Sequence, residues 1–242
     1  MKITWLGQFG LLIQTKNCTL MMDPYLTDSI ADRLGADYSR LVPLREEYLA
    51  VKPDVILLSH DHTDHLDVPS LKQLLNTPVQ CEILAGANAW TKARTEVGGN
   101  HNYVRMVPGS EWSAGDFHIR AVSAAHSDPT AIGFVIHAEG KTIYLTGDTL
   151  YSCELLQQIG EPVDILFTVV NGLGNNMNGT DAARLAAALQ PRIAIPVHWG
   201  LFAKYADTPD RFLQAAESLG VHARRAEIYE VLDTQLLLEE FV

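Results

Sequence analysis

The densest chemistry in this 242-residue chain is His60-Asp61-His62-Thr63-Asp64-His65, just past the apolar run Val55-Ile56-Leu57-Leu58-Ser59. Three imidazoles and two carboxylates on one short loop are groups that transition metals bind well; histidines that merely cap or hydrogen-bond a polar loop need no such spacing. On extended backbone side chains alternate faces, so His60 and His62 point the same way and can grip one ion. Asp64 continues that alternation, and His65 swings to another side once the chain turns. One short segment can therefore serve two neighbouring ions. With no sulfur and no closed four-ligand set, the loop does not read as a purely structural zinc site, and catalytic sites keep a position open for water.

Two ions need more ligands than this loop provides. His126 (in Ala124-Ala125-His126-Ser127-Asp128), Asp148 (in Thr146-Gly147-Asp148-Thr149) and His198 (in Pro196-Val197-His198-Trp199-Gly200) each fall at or just past a predicted strand end, where α/β proteins tend to put function. Singly, each also fits an ordinary hydrogen-bonded loop or turn residue. Together with the loop they form a series. Asp23, in Asp23-Pro24, either accepts the free N–H of a ligand histidine or makes a simple turn. Arg40 is the candidate anion contact, with a solvated surface arginine as the alternative. Asn176 and Asn178 offer neutral donors ahead of a helix N-terminus, or form a plain turn. Trp199 is read as a cleft wall or, more commonly for tryptophan, a core residue.

The elements that must position these residues follow from pattern. Short β-rich runs at 3–6, 11–14 and 19–22 are punctuated by Gly7, Gly10 and Asn17. Residues 27–50 read as irregular to helical. Val55–Ser59 is a continuous apolar strand, buried on both faces. Helices are expected at 69–75, 87–96, 180–189 with Thr180 as cap, and 209–219. Strands are expected at 82–85, 103–107, 116–123, 133–138, 142–146, 164–169, 193–197, 227–231 and 235–238, with Glu139-Gly140 as a two-residue hairpin turn. This is a mixed α/β pattern in one domain spanning 1–242, with sheets packed face to face beneath helices.

Composition bounds the function. At 47% hydrophobic residues the chain can build a sizeable core. A net charge of −11 argues against a nucleic-acid or anionic-membrane binder, but a small anionic substrate is compatible because bound cations would dominate the cleft. Cys18, Cys81 and Cys153 form no CxxC pair and are expected to be reduced thiols. The start lacks the pattern of a signal peptide and no apolar stretch reaches spanning length, so a cytoplasmic protein is expected. A homo-oligomer is compatible with the sequence.

The series His60-x-His62-x-Asp64-His65, His126, Gly147-Asp148-Thr149 and His198 resembles the full motif set of the metallo-β-lactamase superfamily, over essentially the whole chain. The resemblance implies a four-layer αβ/βα sandwich of two mixed β-sheets flanked by helices. It implies two divalent ions, zinc or manganese or else iron, the first held by His60, His62 and His126 and the second by Asp64, His65 and His198, with Asp148 bridging. A hydroxide between the ions would attack a carbonyl or phosphorus centre, with Asp64 orienting it and accepting its proton. A narrower similarity, carried by Trp5-Leu6-Gly7-Gln8, Asp23-Pro24-Tyr25-Leu26-Thr27-Asp28-Ser29, Arg40-Leu41-Val42-Pro43, Gly174-Asn175-Asn176-Met177-Asn178 and Pro196-Val197-His198-Trp199-Gly200-Leu201-Phe202, points to the L-ascorbate-6-phosphate lactonase branch. The expected activity is therefore hydrolysis of a small anionic ester or lactone. Phosphodiester or RNA cleavage within the same superfamily is the alternative, and a non-catalytic metal-binding module a third reading.

Overall fold

The computed structural model describes residues 1–205 and 208–239. Two sheets face each other. The first, in spatial order β13 (Val231–Asp233), β1 (Lys2–Gly7), β2 (Gly10–Gln14), β3 (Thr19–Met22), β4 (Val55–Leu58), β5 (Glu82–Ala85) and β6 (Asn102–Arg105), is antiparallel up to β3 and parallel from β3 to β6. The second runs β12 (Ile193–Val197), β11 (Ile165–Val169), β10 (Lys141–Leu145), β9 (Ile132–Ala138), β8 (Phe117–Ser123) and β7 (Glu111–Ala114), and likewise changes from antiparallel to parallel at β10 and β11. Both are mixed sheets flanked by helices, as expected from the sequence.

Strand periodicity shows how the layers are held. Val55 and Leu57 point into the core between the sheets, while Ile56 and Leu58 pack outward with Leu71, Leu75, Ala89 and Ala93 of the segments around α3 (Val68–Leu74) and α4 (Ala87–Glu96). A strand buried on both faces reads as an unbroken apolar run, which is what residues 55–58 are. On the second sheet α5 (Cys153–Ile159) lies against β8, and α6 (Gly179–Leu189) against β11, with α7 (Asp210–Ser218) packed on α6. The short α1 (Ser29–Leu34) and α2 (Glu46–Leu49) lie between β3 and β4 in the chain.

The direction of the strands positions the site. β3 and β4 are parallel; β8 and β10 both oppose β9, so they share a direction with each other and with β11 and β12. Their C-terminal ends therefore open on common edges, the place where α/β sheets bind ligands.

Two expectations are corrected and one strand is added. Residues 235–238 are not a strand but part of α8 (Thr234–Glu239): the Asp233 carboxylate accepts from the Gln235 N–H, and the consecutive Leu237 and Leu238 are both buried, a spacing a half-exposed strand cannot give. The last strand of the first sheet starts at Val231, after a turn, rather than at 227. β7, whose sequence Glu-Trp-Ser-Ala carries one large apolar residue, had no strand signal and forms by pairing with β8. Among the described residues no helix is long and apolar enough to cross a membrane.

Candidate metal centre

The chain leaves β4 at Leu58, stays open through His60, and turns at His62, whose carbonyl accepts from the N–H groups of both His65 and Leu66. The turn therefore comes before Asp64, where simple alternation would place it after. It carries Asp64 together with His65 to a second position. His126 arrives from the loop after β8, Asp148 from the turn after β10, and His198 directly after β12.

Seven side chains converge. Ligand atoms of His60, His62 and His126 lie within 4.8 Å of one another, as do those of Asp64, His65 and His198. His126 Nε2 is 3.3 Å from His62 Nδ1 in the first group, and His65 Nε2 is 3.1 Å from His198 Nε2 in the second. Asp148 Oδ2 sits between them, 3.3 Å from His198 Nε2, 3.4 Å from His65 Nε2 and 3.9 Å from His126 Nε2. His60 Nε2 and Asp148 Oδ1 are buried with no hydrogen-bond partner. Buried polar atoms ordinarily find partners, so two orphans aimed into a histidine cluster fit a cation.

The supporting contacts fix ring orientation. His65 Nδ1 donates to Asp23 Oδ2 at 2.8 Å, which leaves Nε2 for the centre. Asp23 also accepts from the Ser59 N–H at 2.8 Å and the Ser59 hydroxyl at 2.5 Å, while that hydroxyl lies 2.9 Å from His60 Nδ1. His126 Nδ1 donates to the Asn175 carbonyl at 3.2 Å. The Asn171 amide is 2.9 Å from His198 Nδ1. Gln8 donates to Asp64 Oδ2 at 2.8 Å, and its carbonyl accepts from the His198 N–H at 2.9 Å. Gln8, Asp23 and His198 all have left-handed backbone (φ 47°, 43° and 64°). Such conformations cost on the order of 1–3 kcal/mol each and persist where surrounding structure over-determines them. Gly147, just before Asp148, has φ 59°, and a Cβ there would stand 3.1 Å from the Ile132 carbonyl.

Charge differs between the groups. Burial, helped by neighbouring imidazoles, holds His60 well below the usual histidine range; burial also lowers His126, against the pull of Asp148. Burial opposes charge on His65 and His198 too, but there the carboxylates win: Asp148, Asp64 and Asp23 hold His65 well above the usual range, and Asp148 and Asp64 push His198 up to about 9. Burial would raise Asp64 and Asp148, yet His65 and His198 keep both well below the ordinary carboxylate range. Asp23 is raised by burial despite His65.

The remaining expected site residues divide. Asn176 joins the cluster, donating to Asp148 Oδ2 at 2.8 Å. Asn178 does not: its Oδ1 accepts from the N–H groups of Thr180 and Asp181 and its amide donates to Asp181, so it, rather than Thr180, caps α6. Arg40 is turned into the protein, donating to the carbonyls of Tyr25 and Val42 and to the Tyr229 hydroxyl. Trp199 is buried against Trp5, ring centroids 5.1 Å apart, and donates to the Pro196 carbonyl. Gln8, Ser59 and Asn171 are contacts that the sequence reading gave no role. Asn171 had a usable signal, a polar residue just beyond a fully buried strand at the same sheet edge as His198.

The chain is similar to known proteins over most of its length. Residues 2–198 match the β-lactamase superfamily domain. A UPF0173 metal-dependent hydrolase of Carboxydothermus hydrogenoformans is 30% identical over 233 residues, covering 91% of this chain and 94% of the relative. Among solved structures, Igni18, a metallo hydrolase of Ignicoccus hospitalis, superposes with a TM-score of 0.74 at 22% identity, covering 96% of this chain and 97% of that one. CmlA, a diiron β-hydroxylase of Streptomyces venezuelae, gives 0.76 at 16% identity over 96% of this chain and 53% of its own. The chain is a metal-dependent hydrolase of the UPF0173 family, within the metallo-β-lactamase superfamily.

Proposed function

We propose that this hydrolase cleaves a small ester or lactone at a centre of two divalent ions, one held by His60, His62 and His126, the other by Asp64, His65 and His198, with Asp148 shared. The observation that carries the reading is the position of Asp148 Oδ2 within 3.3–3.9 Å of ligand nitrogens from both groups. A fold neighbour described as a diiron enzyme supports the count of two. Bound there, divalent ions supply Lewis acidity and make water acidic enough to attack at neutral pH.

The chain's own residues supply the rest. Asp64, partly exposed like His62 and His126 while His60, His65, Asp148 and His198 are buried, faces the open cavity and accepts from the Gln8 amide. Its carboxylate stays charged at neutral pH, so it orients the attacking water and receives its proton at Oδ1 or Oδ2. Asp23 and the Asn175 carbonyl fix the His65 and His126 rings from behind. Asn176, with an unpartnered Oδ1 and an amide on Asp148, borders the same cavity.

A phosphorylated sugar-acid lactone is one member of this substrate class, and the site motifs it shares with the lactonase branch support it. Its expected phosphate contact, Arg40, is spent internally. The test is metal analysis of protein purified without chelator, coupled to turnover of esters, lactones and bis(p-nitrophenyl) phosphate. Ester or lactone hydrolysis that disappears on chelation and returns with zinc, manganese or iron is expected. Turnover of the phosphodiester alone would reverse the assignment.

A further inference from the structure

We infer that a second cavity, joined to the candidate centre along the metal loop, is the specificity pocket and receives an apolar chain that ends in an anionic group. This rests on the hydrolase reading above. The cavity is about 350 Å³ and shares His62 and Asp64 with the smaller one that faces Asp148 and His198. A substrate whose scissile bond lies over the cluster therefore has one continuous way out, past Asp64.

One wall of that exit is apolar, and Asp61 to Asp64 of the metal loop form the other. Ile30 and Leu34 come from α1, Phe202 from the segment after His198, and Tyr38 from the turn between them. Phe202 is buried and packs edge-on against Tyr25, centroids 5.5 Å apart, in a small cluster with Ile30 and Leu201. The backbone locks these pieces together, Leu41 N–H donating to the Leu201 carbonyl at 2.7 Å and Arg40 pairing with Phe202. Leu34, in contrast, is 53% exposed, an aliphatic side chain left uncovered at the rim of a cavity. Such an arrangement gains from an apolar occupant.

Arg33 supplies the charge. Its guanidinium reaches the same cavity and donates to the Thr63 hydroxyl at 3.0 Å, between the ligand candidates His62 and Asp64. No carboxylate is paired with it among the described residues. Asp61 and Asp64 line the loop side of the cavity but make no ion pair with Arg33, so in a chain of net charge −11 its guanidinium is the cation at the apolar wall that can take a ligand's anionic end. The geometry fits an acyl chain of several carbons with a distal carboxylate or phosphate.

The test compares three methyl esters on the metal-loaded enzyme: methyl acetate, methyl hexanoate and monomethyl suberate. The chain is expected to raise kcat/KM at least ten-fold over acetate, and the distal carboxylate to raise it again. Arg33→Gln should remove the second gain and keep the first; Leu34→Asp, on an exposed residue that leaves the core intact, should remove the first. Binding of hexanoate and acetate to metal-free protein, followed by NMR, gives a reading independent of turnover. Preferential hexanoate binding that Leu34→Asp abolishes, with no ester hydrolysed, would support the pocket and sink the ester-substrate reading. Ester hydrolysis with no chain preference, or a preference that survives Leu34→Asp, would overturn the pocket.

Discussion

His60 and His126, grouped with His62, are lowered by burial and face mainly other imidazoles, whereas His65 and His198 are raised by the carboxylates of Asp64, Asp148 and Asp23. The same ligand chemistry is thus set to opposite protonation states a few ångströms apart. Imidazole binds metal through its neutral form. His60 and His126 present neutral rings at neutral pH, whereas His65 and His198 would have to release protons to take an ion. If the proposed pair of ions binds here, the protein's own charges would make the two differ in affinity and in pH dependence.

Asp148 touches both groups, so removing it is the harshest way to break the comparison. Asp148→Ala is expected to lower kcat by on the order of 10³-fold, and to cut bound metal from two ions to about one or fewer per chain by elemental analysis. A variant that keeps two ions and full activity would mean that the carboxylate is not shared.

The pH dependence of loading sharpens it. Because His65 and His198 are raised, the second ion competes with protons up to about pH 9. Its affinity should climb roughly ten-fold or more per pH unit from 7 to 9, one proton displaced per unit slope. The first ion, met by His60 and His126 already neutral, should bind with little change over that range. Titration calorimetry in buffers of different ionisation enthalpy reads the released protons directly; equal release for both ions would erase the distinction.

A gentler substitution acts on one side. Asp23→Asn removes the carboxylate behind His65 while leaving an oxygen for the Ser59 N–H. Loss of such a ring-orienting partner typically costs 10–100-fold in metal affinity or activity. The loss should fall on the second ion, seen as a half-loaded protein at metal concentrations that saturate the parent. A uniform loss of both ions would place Asp23 in service of the whole loop, through Ser59 and His60.

How much of this was legible depended on whether position or contact carried the information. His60, His62, Asp64 and His65 declare themselves by spacing, and His126, Asp148 and His198 by following strands whose ends the sheets bring together. Gln8 and Ser59 carry no spacing signal; they matter through backbone turns that only the folded chain shows, such as the left-handed Gln8. Residues 235–238 misled because four apolar or polar residues fit a strand as well as one helical turn, and Asp233 as a cap decided it. The pocket beside the metal loop was illegible, since Leu34 and Phe202 reach one cavity from distant parts of the sequence and Arg33 looks like any exposed arginine. Arg40 could not be placed from sequence because its guanidinium is held by the Tyr25 and Val42 carbonyls and the Tyr229 hydroxyl, partners that only folding supplies.

Asn176 and Asn178, two residues apart, carry the same contrast at the smallest scale. Asn176 donates to the shared Asp148, whereas Asn178 closes the first turn of α6. An N-cap replaced by alanine costs about 1 kcal/mol, which in a chain of this size lowers Tm by roughly 2–4 °C. Asn178→Ala should show that shift with metal content and kcat unchanged, because the cap bonds point along the helix and away from the cluster. Asn176→Ala should do the reverse, moving kcat or metal affinity more than Tm, since its amide holds Asp148 Oδ2, the atom that lies between the two groups. Should Asn178→Ala alter KM while leaving Tm in place, the asparagine faces substrate after all, and the cap is not its main contribution.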